Sequence, residues 1–135
     1  MDIEITEGTS ARLYELVAPL VMNAAILRLN NNYPFKTSRH YRWYIAIEKG
    51  EVIGFIPVKE KEREACIDNY YICGDESFLI DALLERVVAD WACRTTLTAV
   101  VHKRHVDDFV RNGFKIHREW KIYDRMMYEK GGHKE

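Results

Sequence analysis

Two kinds of hydrophobic spacing alternate along the chain and predict its secondary structure. Apolar residues recur every three or four positions in residues 10–30, 76–91 and 102–111, as in amphipathic helices. Apolar or alternating runs predict strands at residues 2–6, 43–48, 52–58, 64–72, 95–101, 114–119 and 120–128. Pro19 interrupts the first helical segment, so we expect two consecutive helices or one kinked helix there.

The spacing also predicts which side chains are buried. Phe78 widens the apolar stripe of the long helix, and Val110 points inward from the short one, whereas Asp90 faces water. Gly54 lies inside a strand, where it indicates a bulge or a close approach of another backbone. Gly113 suits the left-handed position that ends a helix.

The order of these elements predicts the fold class. A strand and two helices precede a three-stranded meander, and two strand–helix crossovers and a final strand pair follow. This order predicts an α/β (α+β) fold, in which a mixed sheet carries helices on both faces. The stretch from Ala65 to Trp91 lies at its centre, since a strand there ends at Gly74 and leads into the long helix. We expect the chemical site beside Ile72 to Ser77, where unpaired N–H groups converge.

Composition narrows the function classes. The 135 residues fit one domain, placed at residues 1–130 with a disordered tail at 131–135, and the 47% hydrophobic content supports a core. The net charge of −1 disfavours nucleic acid as the main ligand, despite basic residues at Lys36, Arg39, Arg42, Lys103 and Arg104. Neither a signal peptide nor a membrane-length apolar run is visible, which predicts a cytoplasmic protein with buried, reduced cysteines. The five histidines lack a zinc-ligand spacing, so no metal is expected.

Three local patterns resemble one enzyme family. Residues 43–54, Trp-Tyr-Ile-Ala-Ile-Glu-Lys-Gly-Glu-Val-Ile-Gly, look like the second and third strands of the GNAT acyltransferases. Residues 98–101, followed by a short helix and Arg111-Asn112-Gly113-Phe114, are similar to the family's fifth strand, fourth helix and Gly-Phe pair. Tyr123-Asp124-Arg125-Met126 looks like its closing strand. The resemblance implies a mostly antiparallel sheet of six to seven strands, acetyl-CoA as co-substrate, and an amine acceptor, either a small molecule or a protein.

The resemblance also implies where the co-substrate binds. In the family the fourth strand splays from the fifth, and the pantetheine arm lies in the gap. The pyrophosphate lies on a loop patterned Arg/Gln-x-x-Gly-x-Gly/Ala, which corresponds here to residues 75–80. Asp75, Phe78 and Ile80 depart from that pattern. We expect Asp75 and Glu76 to cap the long helix and to compete with pyrophosphate for its N–H groups.

The catalytic groups are less directly matched. The family's thiolate-protonating tyrosine corresponds to Phe109, which has no proton to donate. Tyr70 or Tyr71, on opposite sides of the strand, or else Tyr123, could replace it. Asp68 is the leading candidate for the base, its alternative being a solvent-facing strand residue. His102 is a candidate acid, base or CoA contact, or else a helix cap. The implied catalytic residues are Asp68, Tyr71 and His102, and the implied cofactor-binding residues are Tyr70, Ile72, Gly74, Asp75, Glu76, Ser77, Lys103 and Phe109.

Two functions remain open. The first is an acetyl-CoA-dependent N-acetyltransferase. The second is a non-catalytic binding module with the same fold, in which the acidic loop and Phe109 reflect the loss of acetyl-CoA binding. Residues 33–42 form either a solvated connection or a wall of the substrate cleft. An unpaired edge strand at either end of the sheet permits a homodimer.

Overall fold

The computed structural model describes residues 1–129, and the predicted tail lies outside them. Eight strands form one sheet: β1 Asp2–Glu7, β2 Tyr41–Glu48, β3 Glu51–Glu60, β4 Glu64–Ile67, β5 Tyr71–Ile72, β6 Thr96–His102, β7 Phe114–Glu119 and β8 Tyr123–Tyr128. The helices are α1 Ala11–Val21, α2 Ala24–Leu29, α3 Ser77–Trp91 and α4 Val106–Arg111, with 3₁₀ turns at Cys73–Asp75 and Lys103–His105. The sheet order is β1-β2-β3-β4-β6-β8-β7, with β5 paired to β3. Among the described residues, only the β4–β6 pair is parallel, which confirms the predicted mixed, mostly antiparallel sheet.

Two side chains determine where the first helices begin. Ser10 Oγ accepts a hydrogen bond from the N–H of Leu13, which starts α1. Asn23 Oδ1 accepts from the N–H groups of Ala25 and Ile26, which starts α2. The segment is therefore two helices, but the break lies at Asn23, and Pro19 is accommodated in the last turn of α1.

The β2–β3 hairpin carries the predicted irregularity at Gly54. Ala46 pairs with Gly54 and Ile47 with Val52, so one extra residue bulges from β3 between them. A Cβ atom on Gly54 would lie 3.0 Å from the carbonyl oxygen of Tyr71 and 3.2 Å from Leu79 Cδ2. The absence of a side chain thus lets β5 and the start of α3 pack directly on β3.

The predicted continuous strand over residues 64–72 is interrupted, which corrects the sequence prediction. Asp68, Asn69 and Tyr70 lie outside β4 and β5, and Asn69 has a φ of 53°. The side-chain amide of Asn30, from the end of α2, donates to Asn69 Oδ1 at 2.9 Å and to the carbonyl oxygen of Tyr33 at 3.0 Å. These hydrogen bonds fix the position of the interruption. Asn69 can adopt its positive φ because asparagine tolerates the left-handed conformation better than most residues.

The core covers both faces of the sheet. Leu79, Leu83 and Phe109 belong to the cluster under α3 and α4, and Leu13 and Phe55 to the cluster under α1. In the described chain, no helix is both long enough and apolar enough to span a membrane.

Several burial predictions are wrong. Phe78 and Val110 are 56% and 49% exposed, because at about 100° of rotation per residue each lies nearly opposite the centre of its helix's buried stripe. Asp90 is half-buried and accepts a hydrogen bond from the Tyr44 hydroxyl at 2.7 Å. All three cysteines are free, as expected, but only Cys66 is partly buried; Cys73 and Cys93 are exposed.

Candidate functional site

Two neighbouring strands part at the centre of the sheet. β4 pairs with β6 from Glu64 opposite Thr96 to Ile67 opposite Ala99. Beyond that point β5 pairs with β3, while residues 100–102 of β6 pair with β8. Within the described residues β5 and this end of β6 form no ladder, so a gap opens between Tyr71–Ile72 and residues 100–102. We call this gap the slot.

The long helix begins beside the slot with its N–H groups free of side-chain caps. Gly74 and Asp75 both adopt positive φ, 67° and 52°, in the turn that leads from β5 to α3. The carbonyl oxygen of Glu76 accepts the first helical bonds, from Leu79 and Ile80, and no side chain caps the helix. The expectation that Asp75 and Glu76 cap α3 is therefore wrong, although both, like Ser77, lie at its exposed start.

Asp75 is instead held by the turn that follows β6. Its Oδ1 atom accepts from Arg104 Nε at 3.1 Å and from His105 Nε2 at 2.6 Å. Partial burial opposes ionisation, but these two hydrogen bonds outweigh it and lower the pKa of Asp75. The Asp75 carboxylate therefore pairs with this turn and makes no hydrogen bond to the α3 N–H groups.

Tyr70 crosses the slot. Its hydroxyl lies 2.7 Å from His105 Nδ1 and accepts a 3.3 Å bond from the backbone N–H of His102 on β6. Its ring packs against His105 and Phe109, with centroids 5.4 and 5.7 Å away. Burial raises the pKa of Tyr70. The tyrosine in the slot is therefore Tyr70.

The structure also places the other side chains predicted around the slot. Tyr71, expected to be catalytic, packs on the α1 face with its ring 5.7 Å from Phe55, and Ile72 contributes its side chain to the core. Phe109 is 1% exposed, so Tyr70 rather than Phe109 presents its ring to the slot. The Lys103 ammonium group binds Asp124 on β8.

Two histidines lie at the end of β6 and just after it, and their contacts differ. His102 Nδ1 accepts from the Arg104 N–H at 3.1 Å, so His102 caps the turn, and its ring packs edge-on against Tyr123 at 5.4 Å. Burial, reinforced by the charge of Arg104, lowers the pKa of His102. His105 is 1% exposed, and burial lowers its pKa although Asp75 acts in the opposite direction. Sequence analysis missed His105, whose one visible signal was its place in the basic turn after the central strand.

A cleft opens on the side of the slot where Asp68 interrupts the strand. Its volume is about 300 Å³, and its walls are Tyr33, Asp68, Asn69, Val100, Trp120 and Tyr123. We call it the acceptor cleft. Asp68 is half-buried and forms no ion pair within residues 1–129, and its burial raises its pKa. Tyr33 brings the loop after α2 into the wall, whereas Phe35 of the same loop packs on the core under α1. No cluster of metal-binding side chains occurs in the part of the chain described.

Comparison with known proteins identifies the fold. No protein-family model and no curated protein matches the chain. Solved structures do. Escherichia coli ElaA is 12% identical with a TM-score of 0.72, and an acyl-CoA N-acyltransferase from Pseudomonas aeruginosa is 14% identical with a TM-score of 0.74; each alignment covers 96% of this chain and 100% of the other. The Campylobacter jejuni N-acetyltransferase PseH, in complex with acetyl coenzyme A, is 15% identical with a TM-score of 0.62, covering 96% and 99%.

Proposed function

We propose that this chain, which has the fold of the GNAT N-acetyltransferases, transfers the acetyl group of acetyl-CoA to a primary amine. The slot is the observation that carries the proposal. A strand that leaves its neighbour in mid-sheet exposes main-chain hydrogen-bonding groups, which are costly to leave unpaired unless a ligand or water binds them. Acetyl-CoA has an amide-containing arm that matches such an edge.

The start of α3 supplies the second element of co-substrate binding. Uncapped N–H groups at a helix start attract phosphate, and the positive end of the helix dipole adds to the attraction. The charge of Asp75 is offset by its ion pair with Arg104, and its Oδ1 atom is also hydrogen-bonded to His105. Of the two acidic residues in the turn, only Glu76 therefore opposes the pyrophosphate with an unpaired charge. The turn thus retains the main-chain donors of a phosphate site although it lacks the family's arginine and glycines.

The acceptor cleft supplies the amine site. A half-buried carboxylate without an ion partner favours a cationic ligand, and the rings of Tyr33, Trp120 and Tyr123 can stack on or surround an ammonium group. We assign Asp68 the role of taking the first proton from the ammonium ion, because only the free amine has the lone pair that attacks a thioester. The cleft is open to solvent, so this proton can leave.

A second candidate function is a binding module that no longer uses acetyl-CoA. One observation favours it: the Tyr70 side chain already bridges β6 and the strand interruption, at the place where the arm of the co-substrate would pass. In that case Tyr70 closes the slot, and the acceptor cleft binds a partner without chemistry.

Thiol release separates the two functions. The protein would be mixed with acetyl-CoA and, in turn, a diamine, an amino sugar and a lysine-containing peptide. Free thiol would be followed with a chromogenic disulfide, and the acetylated amine would be identified by mass spectrometry. The acetyltransferase proposal predicts amine-dependent thiol release with one acetyl group per thiol. Absence of release with every amine, together with absence of acetyl-CoA binding, would favour the binding module.

A further inference from the structure

We propose that Asp75, His105 and Tyr70 form a proton relay for the acyl transfer, in which Tyr70 takes a proton from the attacking amine and returns it to the leaving thiolate. This inference rests on the proposed acetyl transfer. It assigns the acid–base residue that the family's own motif does not supply here, because Phe109 occupies the expected tyrosine position.

The three side chains form a continuous hydrogen-bonded chain. Asp75 Oδ1 lies 2.6 Å from His105 Nε2, and His105 Nδ1 lies 2.7 Å from the Tyr70 hydroxyl. Asp75 is exposed in the turn before α3, His105 is buried, and Tyr70 is half-buried in the slot. The relay therefore runs from solvent, through the protein, to the place where β5 and β6 part.

The charges of Asp75 and His105 determine which atom donates and which accepts in each hydrogen bond of the relay. Asp75 is ionised at neutral pH and can only accept, so Nε2 of His105 carries a proton. Burial keeps His105 neutral, which leaves Nδ1 without a proton and able to accept the Tyr70 O–H. The Tyr70 oxygen in turn accepts from the His102 N–H. A hydroxyl, a neutral imidazole and a carboxylate in this order are the arrangement by which hydrolases activate a hydroxyl group.

Other charged groups around His105 adjust this arrangement. The positive charge of Arg104 disfavours the imidazolium ion, and the negative charges of Asp75 and Asp108 favour it. The Asp108 charge is partly offset by Arg111, 2.8 Å away. His102 lies close by, with its ring centroid 6.4 Å from that of His105. Asp75 contacts the ring directly, so it is the main support for a transient positive charge on His105.

The reaction balances with these groups. Asp68 removes one proton from the ammonium ion and passes it to solvent, and the amine nitrogen then forms a C–N bond with the thioester carbon. Tyr70 takes a proton from the now positive nitrogen while its own O–H proton moves to His105 Nδ1. When the adduct collapses and the C–S bond breaks, Tyr70 gives a proton to the thiolate sulfur and recovers its own from His105. The products are an N-acetyl amine and the CoA thiol.

The protonation state of His105 is tested without any substrate. In protein labelled with ¹⁵N-histidine, NMR at pH 7 should show His105 neutral, with the proton on Nε2. Asp75→Asn should lower the pH at which His105 titrates, because the carboxylate that stabilises the imidazolium ion is removed. A proton on Nδ1 of His105 in the wild type at pH 7 would overturn the relay.

Steady-state kinetics test whether the relay is used in the reaction. The substrates are acetyl-CoA and whichever of the three amines above gives the fastest thiol release. Tyr70→Phe should lower kcat by about 10²-fold or more, as for loss of an acid–base group, while the Kd for acetyl-CoA stays within about threefold. Tyr128→Phe, which removes a hydroxyl outside the slot and the acceptor cleft, is the matched control and should change kcat less than about twofold. Asp75→Asn should move the acidic limb of the kcat/KM profile to lower pH, together with the His105 titration.

The outcomes distinguish failure of the proton relay from failure of the proposed acetyltransferase function. If the wild type acetylates an amine and Tyr70→Phe leaves kcat within about twofold, the relay is wrong and the acetyltransferase proposal stands. If the wild type neither binds acetyl-CoA nor releases thiol, the acetyltransferase proposal fails and the relay fails with it. Binding of acetyl-CoA with no turnover of any amine counts against both.

Discussion

The substitution Asp68→Asn tests whether the Asp68 carboxylate acts on the substrate or stabilises the folded protein. The side chain is half-buried, forms no ion pair within residues 1–129, and has a weak contact from Asn69 Nδ2 at 3.4 Å. Asparagine has nearly the same shape but no charge. The substitution should therefore stabilise the protein while it removes the amine's proton acceptor.

The size of the stability change follows from the burial. Because burial raises the pKa of Asp68 in the folded protein, stability is greatest below the ordinary aspartate pKa and falls as pH rises through the raised value. At pH 7 the wild type carries the cost of burying the charge, which the positive charges of Lys61, Lys59 and Lys36 offset in part. Burying unpaired polar groups costs about 1–3 kcal/mol in mutational studies, and partial exposure places Asp68 near the lower end. For a chain of this length, about 1 kcal/mol corresponds to a Tm increase of roughly 3–5 °C.

Two assays measure the opposite effects of this substitution. Thermal unfolding at pH 7 and at pH 3 should show a Tm gain at pH 7 that largely disappears at pH 3, where the wild-type carboxyl is protonated. Thiol release should show kcat/KM for the amine lowered by about 10²–10⁴-fold. Asp2→Asn, an exposed carboxylate on the distant edge strand β1, is the control and should change neither quantity. A loss of stability with unchanged kcat/KM would show that Asp68 is a structural acceptor and would refute its assignment.

Three further substitutions test neighbouring contacts. Glu76→Gln should tighten acetyl-CoA binding by about two- to fivefold at low ionic strength and less at high salt, as isothermal titration would show. Tyr44→Phe should lower the free energy of urea unfolding by about 2–3 kcal/mol, because the buried Trp91 N–H loses its 2.9 Å acceptor and the bond to a carboxylate is lost. Lys103→Met should lower Tm, since Asp124 loses its partner, and should leave acetyl-CoA affinity within about twofold; a large loss of affinity would return Lys103 to the binding site.

Most of the fold could be predicted because its signals are local. The helices α1, α3 and α4 are visible as three-four spacing, and the β2–β3 hairpin as two apolar runs around a Lys-Gly turn. A glycine inside a strand, Gly54, predicted the bulge in β3. The pattern favours a break at Pro19, but the structure breaks at Asn23, because the Asn23 side chain caps the start of α2 while α1 continues past the proline to Val21.

The choice between Tyr70 and Tyr71 could not be made from the pattern. In a regular strand, alternate residues face opposite sides, so the side of each tyrosine follows from counting. The interruption at residues 68–70 breaks that count, and a left-handed Asn69 was not visible in the alternation. The Asp-Asn pair that precedes the tyrosines is the one local signal that could have indicated a break.

The contacts of Asp75 were also beyond reach of the sequence. The sequence predicts that Asp75 caps the helix next to it, which is the usual local role of an aspartate in that place. Its partners, Arg104 and His105, lie about 30 residues further along the chain and meet it only because β6 returns beside β5. Long-range pairing of this kind depends on the topology, and the spacing of residues along the chain does not predict it.

Acetyl-CoA binding by the wild-type protein is the most direct test of the account, because the slot and the uncapped start of α3 are claimed to hold that molecule. At acetyl-CoA concentrations about 100 times the Kd, the free energy of unfolding should rise by roughly 2.7 kcal/mol, and an equal concentration of ADP should stabilise the protein less. An unchanged unfolding transition at millimolar acetyl-CoA would contradict the account.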